Sequence, residues 1–147
     1  MAKALEKYGV NLADVVRDTH ADTMIRVSSL SEEMLELAIR MAILNTGQKV
    51  NEHMFKHDGE LATLEKKINK AKELNLLDET AFKDAHLVRR IRNKFAHRGE
   101  RLHFDSPKIV TLTKQLSTYD KAKFNQDAIL ESVSSIVDQL KANTRPK

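Results

Sequence analysis

The chain contains no cysteine, which excludes disulfides, a thiol nucleophile and thiolate-held metals. That absence also fits a protein kept in a reducing cytoplasm. Tryptophan is missing as well, and aromatic residues make up only 5% of the sequence, leaving little material for stacking single-stranded bases. Four scattered glycines form neither a Gly-rich phosphate loop nor a Gly-x-Ser-x-Gly nucleophile elbow. No apolar run approaches membrane-spanning length, and the charged opening residues do not resemble the core of a signal peptide. The expectation is a soluble, cytoplasmic protein with no membrane contact. Nothing suggests a flavin, nicotinamide or haem, so no cofactor is expected.

What is present is charge and helical periodicity. The 147 residues fit one domain, and 41% hydrophobic with 31% charged residues is ordinary for a folded globular chain. The net charge of +4 is unevenly spread. Acids lead six to three between residues 12 and 45, whereas bases lead seven to two between 83 and 101. Such a distribution steers a molecule toward phosphates, or lets an acidic face meet a basic one.

Residues 1–11 have weak periodicity and read as a loose arm. A long helix is expected from about Leu12 or Asp14 to Leu44, closed by Gly47 in a left-handed conformation. Val27, Leu30, Met34, Leu37, Met41 and Leu44 alternate at spacings of three and four, a coiled-coil type of seam. A helix so apolar is central to a bundle or faces a partner subunit, so a homodimer is expected. A polar connection with His53 and His57 follows; no Asp, Glu or Cys completes a metal set beside them, and no metal site is expected.

A second helix is expected from about Glu60 to Leu74, with Leu61, Leu64, Ile68, Ala71 and Leu74 inward and Asn75 as terminator. Asp78 should cap the third helix, with Leu77 and Phe82 as a hydrophobic staple. That helix should end near His97 or Arg98, with Gly99 as its exit. Ser106-Pro107 should open a fourth helix running to about Ser117 on Ile109, Leu112 and Leu116. Asn125 should cap a last one to about Ala142 on Ile129, Val133, Ile136 and Leu140. Residues 143–147 read as a mobile tail. The fold class is therefore all-α, a single-domain bundle of about five helices.

Chemistry concentrates in the third helix and its exit. Leu87, Val88, Ile91 and Phe95 form a core stripe, and His86, Arg90, Asn93 and His97 line up on the other side. Arg92 lies about 140° from His97 on an ideal helix, so one straight helix cannot bring both to a common atom. Arg89, Arg90, Lys94, Arg98 and Arg101 are the candidates for nucleic-acid contact.

The element Arg92-Asn93-Lys94-Phe95-Ala96-His97 resembles the Arg-x4–6-His motif of HEPN domains, helical modules that include metal-independent endoribonucleases. The resemblance implies Arg92, Asn93 and His97 as catalytic candidates in a site composed across a dimer. Arg92 would hold the scissile phosphate, and His97 would move a proton at a ribose oxygen.

A longer resemblance runs through Gly59-Glu60-Leu61, Leu64 to Leu77, Phe82-Lys83-Asp84-Ala85, Ile91 to His97 and Leu102 to Ile109. These segments look like the core of the mannitol-operon repressor family, with coverage of about residues 25–110. Asn75 stands where that family usually has Gly, and Lys67 where Arg would be expected. The resemblance implies a bacterial cytoplasmic protein linked with transcription regulation and lacking a helix-turn-helix reader. Its contacts would be with a protein partner or with nucleic acid through the basic third helix. A structural reading also stands: Asn93 and His97 cap carbonyls or bridge to the loop around His103 and Asp105, with Arg92 on a carboxylate.

Overall fold

The computed structural model describes residues 12–97 and 101–144, with side chains from residue 19 onward. The expected arm, Arg98, Gly99 and the last three residues of the tail lie outside that description. Five α-helices run in chain order: α1 Leu12–Asn45, α2 Leu64–Glu73, α3 Glu79–Phe95, α4 Pro107–Thr113 and α5 Asn125–Asn143. A 3-10 turn, Glu52–Phe55, precedes α2, and no strand occurs among the described residues.

The hydrophobic core has two compartments. Leu35, Ile39, Leu61, Ile68 and Leu77 lie in one, with Ile136 and Leu140. Met24, Ile91, Phe95, Phe104 and Ile109 lie in the other, with Ile129 and Val133. Helices α1, α3 and α5 pass through both, whereas α2 closes the first and α4 the second. The inward positions expected on α3, α4 and α5 are buried, and Leu116 is buried just after α4.

The seam of α1 is the exception. Its buried side chains are Met24, Ser28, Ser31, Leu35, Ala38, Ile39 and Ile43, while Leu30, Leu37 and Leu44 are exposed. The leucine half of the seam lies on the outside, while Val27 and Met34 pack partly against the core, because another apolar arc, reinforced by small serines and alanines, packs against α5 and α3.

Helix boundaries follow local chemistry. Helix α2 starts four residues later than expected. Thr63 is its cap, its hydroxyl accepting from the Lys66 amide at 3.2 Å. Leu61 instead donates its amide to the Met54 carbonyl at 2.7 Å. Gly59 is required there, since a Cβ would stand 2.2 Å from the His53 carbonyl oxygen. At the far end, Asn75 takes φ 59°. Leu76 bonds back to the Ala71 carbonyl and Asn75 to that of Lys72, a complete Schellman ending. Asp78 caps α3 through the Ala81 amide at 2.8 Å.

Helix α3 stops at Phe95, so His97 lies outside it. Helix α4 ends at Thr113 instead of near Ser117, because the buried Asp84 takes both the Ser117 amide and its hydroxyl. Helix α5 is capped at Phe124, not Asn125; the Asn125 amide group donates to Asp105 at 2.8 Å.

Phe95 is 6% exposed whereas its neighbour Lys94 faces solvent. Phe95→Ala should therefore cost about 3–5 kcal/mol in urea unfolding, and Lys94→Ala no more than about 0.5 kcal/mol.

Candidate functional site

Arg92 does not turn toward His97. Its guanidinium reaches α1, where Nη1 stands 3.8 Å from Glu32 Oε2. The other oxygen of Glu32 takes the Lys67 ammonium at 2.9 Å, and Lys67 is also 3.7 Å from Glu36. Glu36 pairs with Arg40 at 2.9 Å, and Arg40 grips Glu52 through both nitrogens at 2.5 and 2.9 Å. The same guanidinium lies 4.2 Å over the Phe55 ring. Six alternating charges thus link α3, α1, α2 and the 3-10 turn. Hydrogen bonds that Arg40 donates to Glu52 and then to Glu36 hold its pKa above the ordinary value, and Arg40 in turn lowers that of Glu52.

Lys67 anchors the chain because its side chain is only 7% exposed. An ammonium out of water needs carboxylates around it, and α1 supplies two, one turn apart. The sequence marked Lys67 only as a departure from a family pattern; a charged residue on the inward side of an amphipathic helix is the signal that could have found it.

Asn93 and His97 are both exposed, and neither side chain hydrogen-bonds to a described residue. The loop around His103 is held by other groups. The Phe104 amide donates to His20 Nδ1 at 3.2 Å, the His103 amide to the Ser106 hydroxyl at 2.9 Å, and the Asp105 amide to His103 Nδ1 at 3.1 Å. The expected carboxylate partner for Arg92 is therefore present, while the expected bridges from Asn93 and His97 are not. Within one chain, Arg92 and His97 face different surroundings.

The basic candidates also divide. Arg90 and Lys94 are exposed on α3, and Arg101 is exposed beyond it. Arg89 is half-buried and donates from Nε to His86 Nδ1 at 3.3 Å. The His86 proton therefore sits on Nε2, which donates to Asn69 Oδ1 at 2.9 Å. Burial first, then the Arg89 charge, lowers the His86 pKa below 6.5. A shallow cavity of about 310 Å³ opens here, with Phe82 and Leu87 as apolar lining and Lys83, His86, Arg90 and Gln115 around them. Lys83 and His86 belong to this basic face although sequence reasoning did not select them together.

His53 and His57 are exposed, and no group of three metal-ligating side chains occurs among the described residues. No described helix is long and apolar enough to cross a membrane.

No protein-family model matches the chain, and no curated protein sequence does. Its fold, however, is that of a known structure. The chain is similar to MtlR in the X-ray structure of the MtlR–HPr complex from Escherichia coli, at a TM-score of 0.56 and 14% identity. The match covers 86% of this chain and 98% of that one. At that identity the likeness establishes a shared all-helical fold and nothing finer.

Two measurements check this geometry. Lys67→Met removes the cation that Glu32 and Glu36 share, one turn apart, and should cost about 2–3 kcal/mol in chemical denaturation, with part of the loss recovered in Lys67→Met/Glu32→Gln. His86 has a depressed folded pKa, so between that value and 6.5 the unfolded chain binds more protons and stability rises with pH. The contribution is complete above 6.5 and is lost as the pH falls through the folded value. His86→Gln should therefore lose less stability than the parent between about pH 7.5 and pH 5.

Proposed function

We propose that this chain is a non-enzymatic helical regulator of the mannitol-operon-repressor type that works by holding a protein partner. Transcriptional control in a bacterial cytoplasm is its output. The observation that carries the reading is the likeness to MtlR over most of both chains, since MtlR was crystallised in complex with a protein, HPr. Agreement between that fold and the sequence resemblance over residues 25–110 supports the same family. The exposed cations Lys83, Arg90 and Lys94 on one side of α3, beside the cavity at Phe82 and Leu87, suit a partner presenting carboxylates around an apolar side chain. Self-association belongs to the reading as well, because Leu30, Leu37 and Leu44 of α1 are left exposed.

The alternative is a HEPN-type metal-independent endoribonuclease. It requires Arg92 of one copy and His97 of another at a common phosphate. The engagement of Arg92 with Glu32 weighs against it, since a guanidinium drawn to a carboxylate has less charge to offer a phosphate.

HPr is the partner to try first. Calorimetric titration should give a dissociation constant of about 10 µM or tighter. Arg90→Glu/Lys94→Glu should weaken it about tenfold or more, while Lys121→Glu, at an exposed position outside α3, leaves it unchanged. The parent protein should leave mixed RNA uncut in EDTA. No binding at about 100 µM, together with EDTA-resistant cleavage that His97→Ala abolishes without lowering the melting temperature, would replace this reading with the ribonuclease.

A further inference from the structure

We propose that His86 is a proton-operated latch on the basic face of α3. Neutral, it holds Arg89; protonated, it releases Arg89 and adds a charge of its own, so a partner that presents carboxylates binds more tightly in acid. This deepens the functional reading and rests on it for the partner, whereas the latch itself stands on the geometry at His86. A guanidinium Nε–H can only donate, so the 3.3 Å bond from Arg89 Nε needs a lone pair on His86 Nδ1. The ring proton is then on Nε2, which donates to Asn69 Oδ1 at 2.9 Å. Both ring nitrogens are committed, one as acceptor and one as donor. Only the neutral imidazole fills both roles.

A proton added to the ring goes to Nδ1 and takes the lone pair that Arg89 uses. Two N–H groups then face each other, and two like charges stand at hydrogen-bond distance. The ring keeps its place, because Nε2 still donates to Asn69 and the Phe82 ring packs edge-on against it, with centroids 4.8 Å apart at 85°. Arg89, on its long flexible stem, is the side chain that moves. The cavity at Phe82 and Leu87 gains an imidazolium on its lining and a released guanidinium beside it.

The groups around the ring set the direction. On α3 the Arg89 charge opposes the imidazolium, and Lys83, itself 3.8 Å from Glu79, and Arg90 border the same cavity. Across from them α2 offers the neutral Asn69 and the Glu65 carboxylate, which favours the charged form; Gln115, after α4, is neutral. Burial and Arg89 outweigh Glu65, so the latch is closed at neutral pH. A partner carboxylate seated over Phe82 and Leu87 shifts that balance, since a negative charge beside the ring favours the imidazolium. By linkage the partner's arrival takes up a proton, and lowering the pH tightens the complex.

The latch is read in the protein alone. Heteronuclear NMR should show His86 Nδ1 taking up its proton below pH 6.5, with the Arg89 Nε–H losing its protection from solvent exchange at the same midpoint. Asn69→Asp sets a carboxylate against Nε2 and should raise that midpoint by about one unit, carrying the Arg89 change with it. Calorimetric titration with HPr should give about three- to tenfold tighter binding at about pH 5.5 than at about pH 7.5. His86→Gln should flatten the change, because glutamine offers an acceptor and a donor but takes no charge; the titration of HPr itself enters both series alike. An Arg89 signal indifferent to the His86 midpoint would overturn the latch. Equal pH dependence in the parent and in His86→Gln would overturn its hold over the partner. Failure of HPr to bind at either pH removes the functional reading instead, and the imidazole and Arg89 signals still decide the latch.

Discussion

A buried ammonium organises one side of this molecule. Lys67 enters the bundle from α2 and is surrounded by Glu32 and Glu36 of α1, which in turn engage Arg92 of α3 and Arg40 of the same helix. Desolvating a charge is costly unless its counter-charges are placed beforehand. The angular position of α1 relative to α2 is therefore constrained twice, by apolar packing around Leu35, Ile39 and Ile68 and by these carboxylates. The two constraints agree: the arc of α1 that faces its neighbours is the one with small and apolar residues plus the two glutamates. The seam of larger leucines is turned outward as a consequence.

The same interaction decides what Arg92 does. A guanidinium on α3 could reach outward with Arg90 and Lys94, yet the unsatisfied second oxygen of Glu32 draws it inward. The motif that links Arg92 to His97 in sequence is thus split in space. One member belongs to the interhelical ion chain, and the other follows the end of α3 at Phe95. Arg90 and Lys94 stay exposed on α3, and Arg90 borders an apolar hollow together with Lys83. A basic face with an apolar centre suits recognition of a protein surface as well as phosphate.

Polar side chains also tie segments together beside both compartments. Asp84 fixes the segment after α4 through Ser117, and Gln139 of α5 bonds both the Asp78 amide and its carboxylate at the start of α3. Thr118 donates to the Ala128 carbonyl and receives the Ser132 hydroxyl, tying the loop to α5. These are long-range bonds made by residues with ordinary local roles in a sequence. None is visible from periodicity, and each moves a helix boundary or fixes a loop.

The sequence by itself determined the elements. Periodicity of three and four, the Asp78 cap, the αL terminator Asn75 and the exit at Gly47 are local properties, so an all-α bundle and most inward positions were legible. Only the tertiary structure decided which apolar arc of α1 is core, because a helix apolar on two sides offers both and neighbours choose by size and charge. It also decided the partner of Arg92. An ion pair joins residues 32 and 92, whose separation along the chain says nothing about their distance until three helices have packed around Lys67.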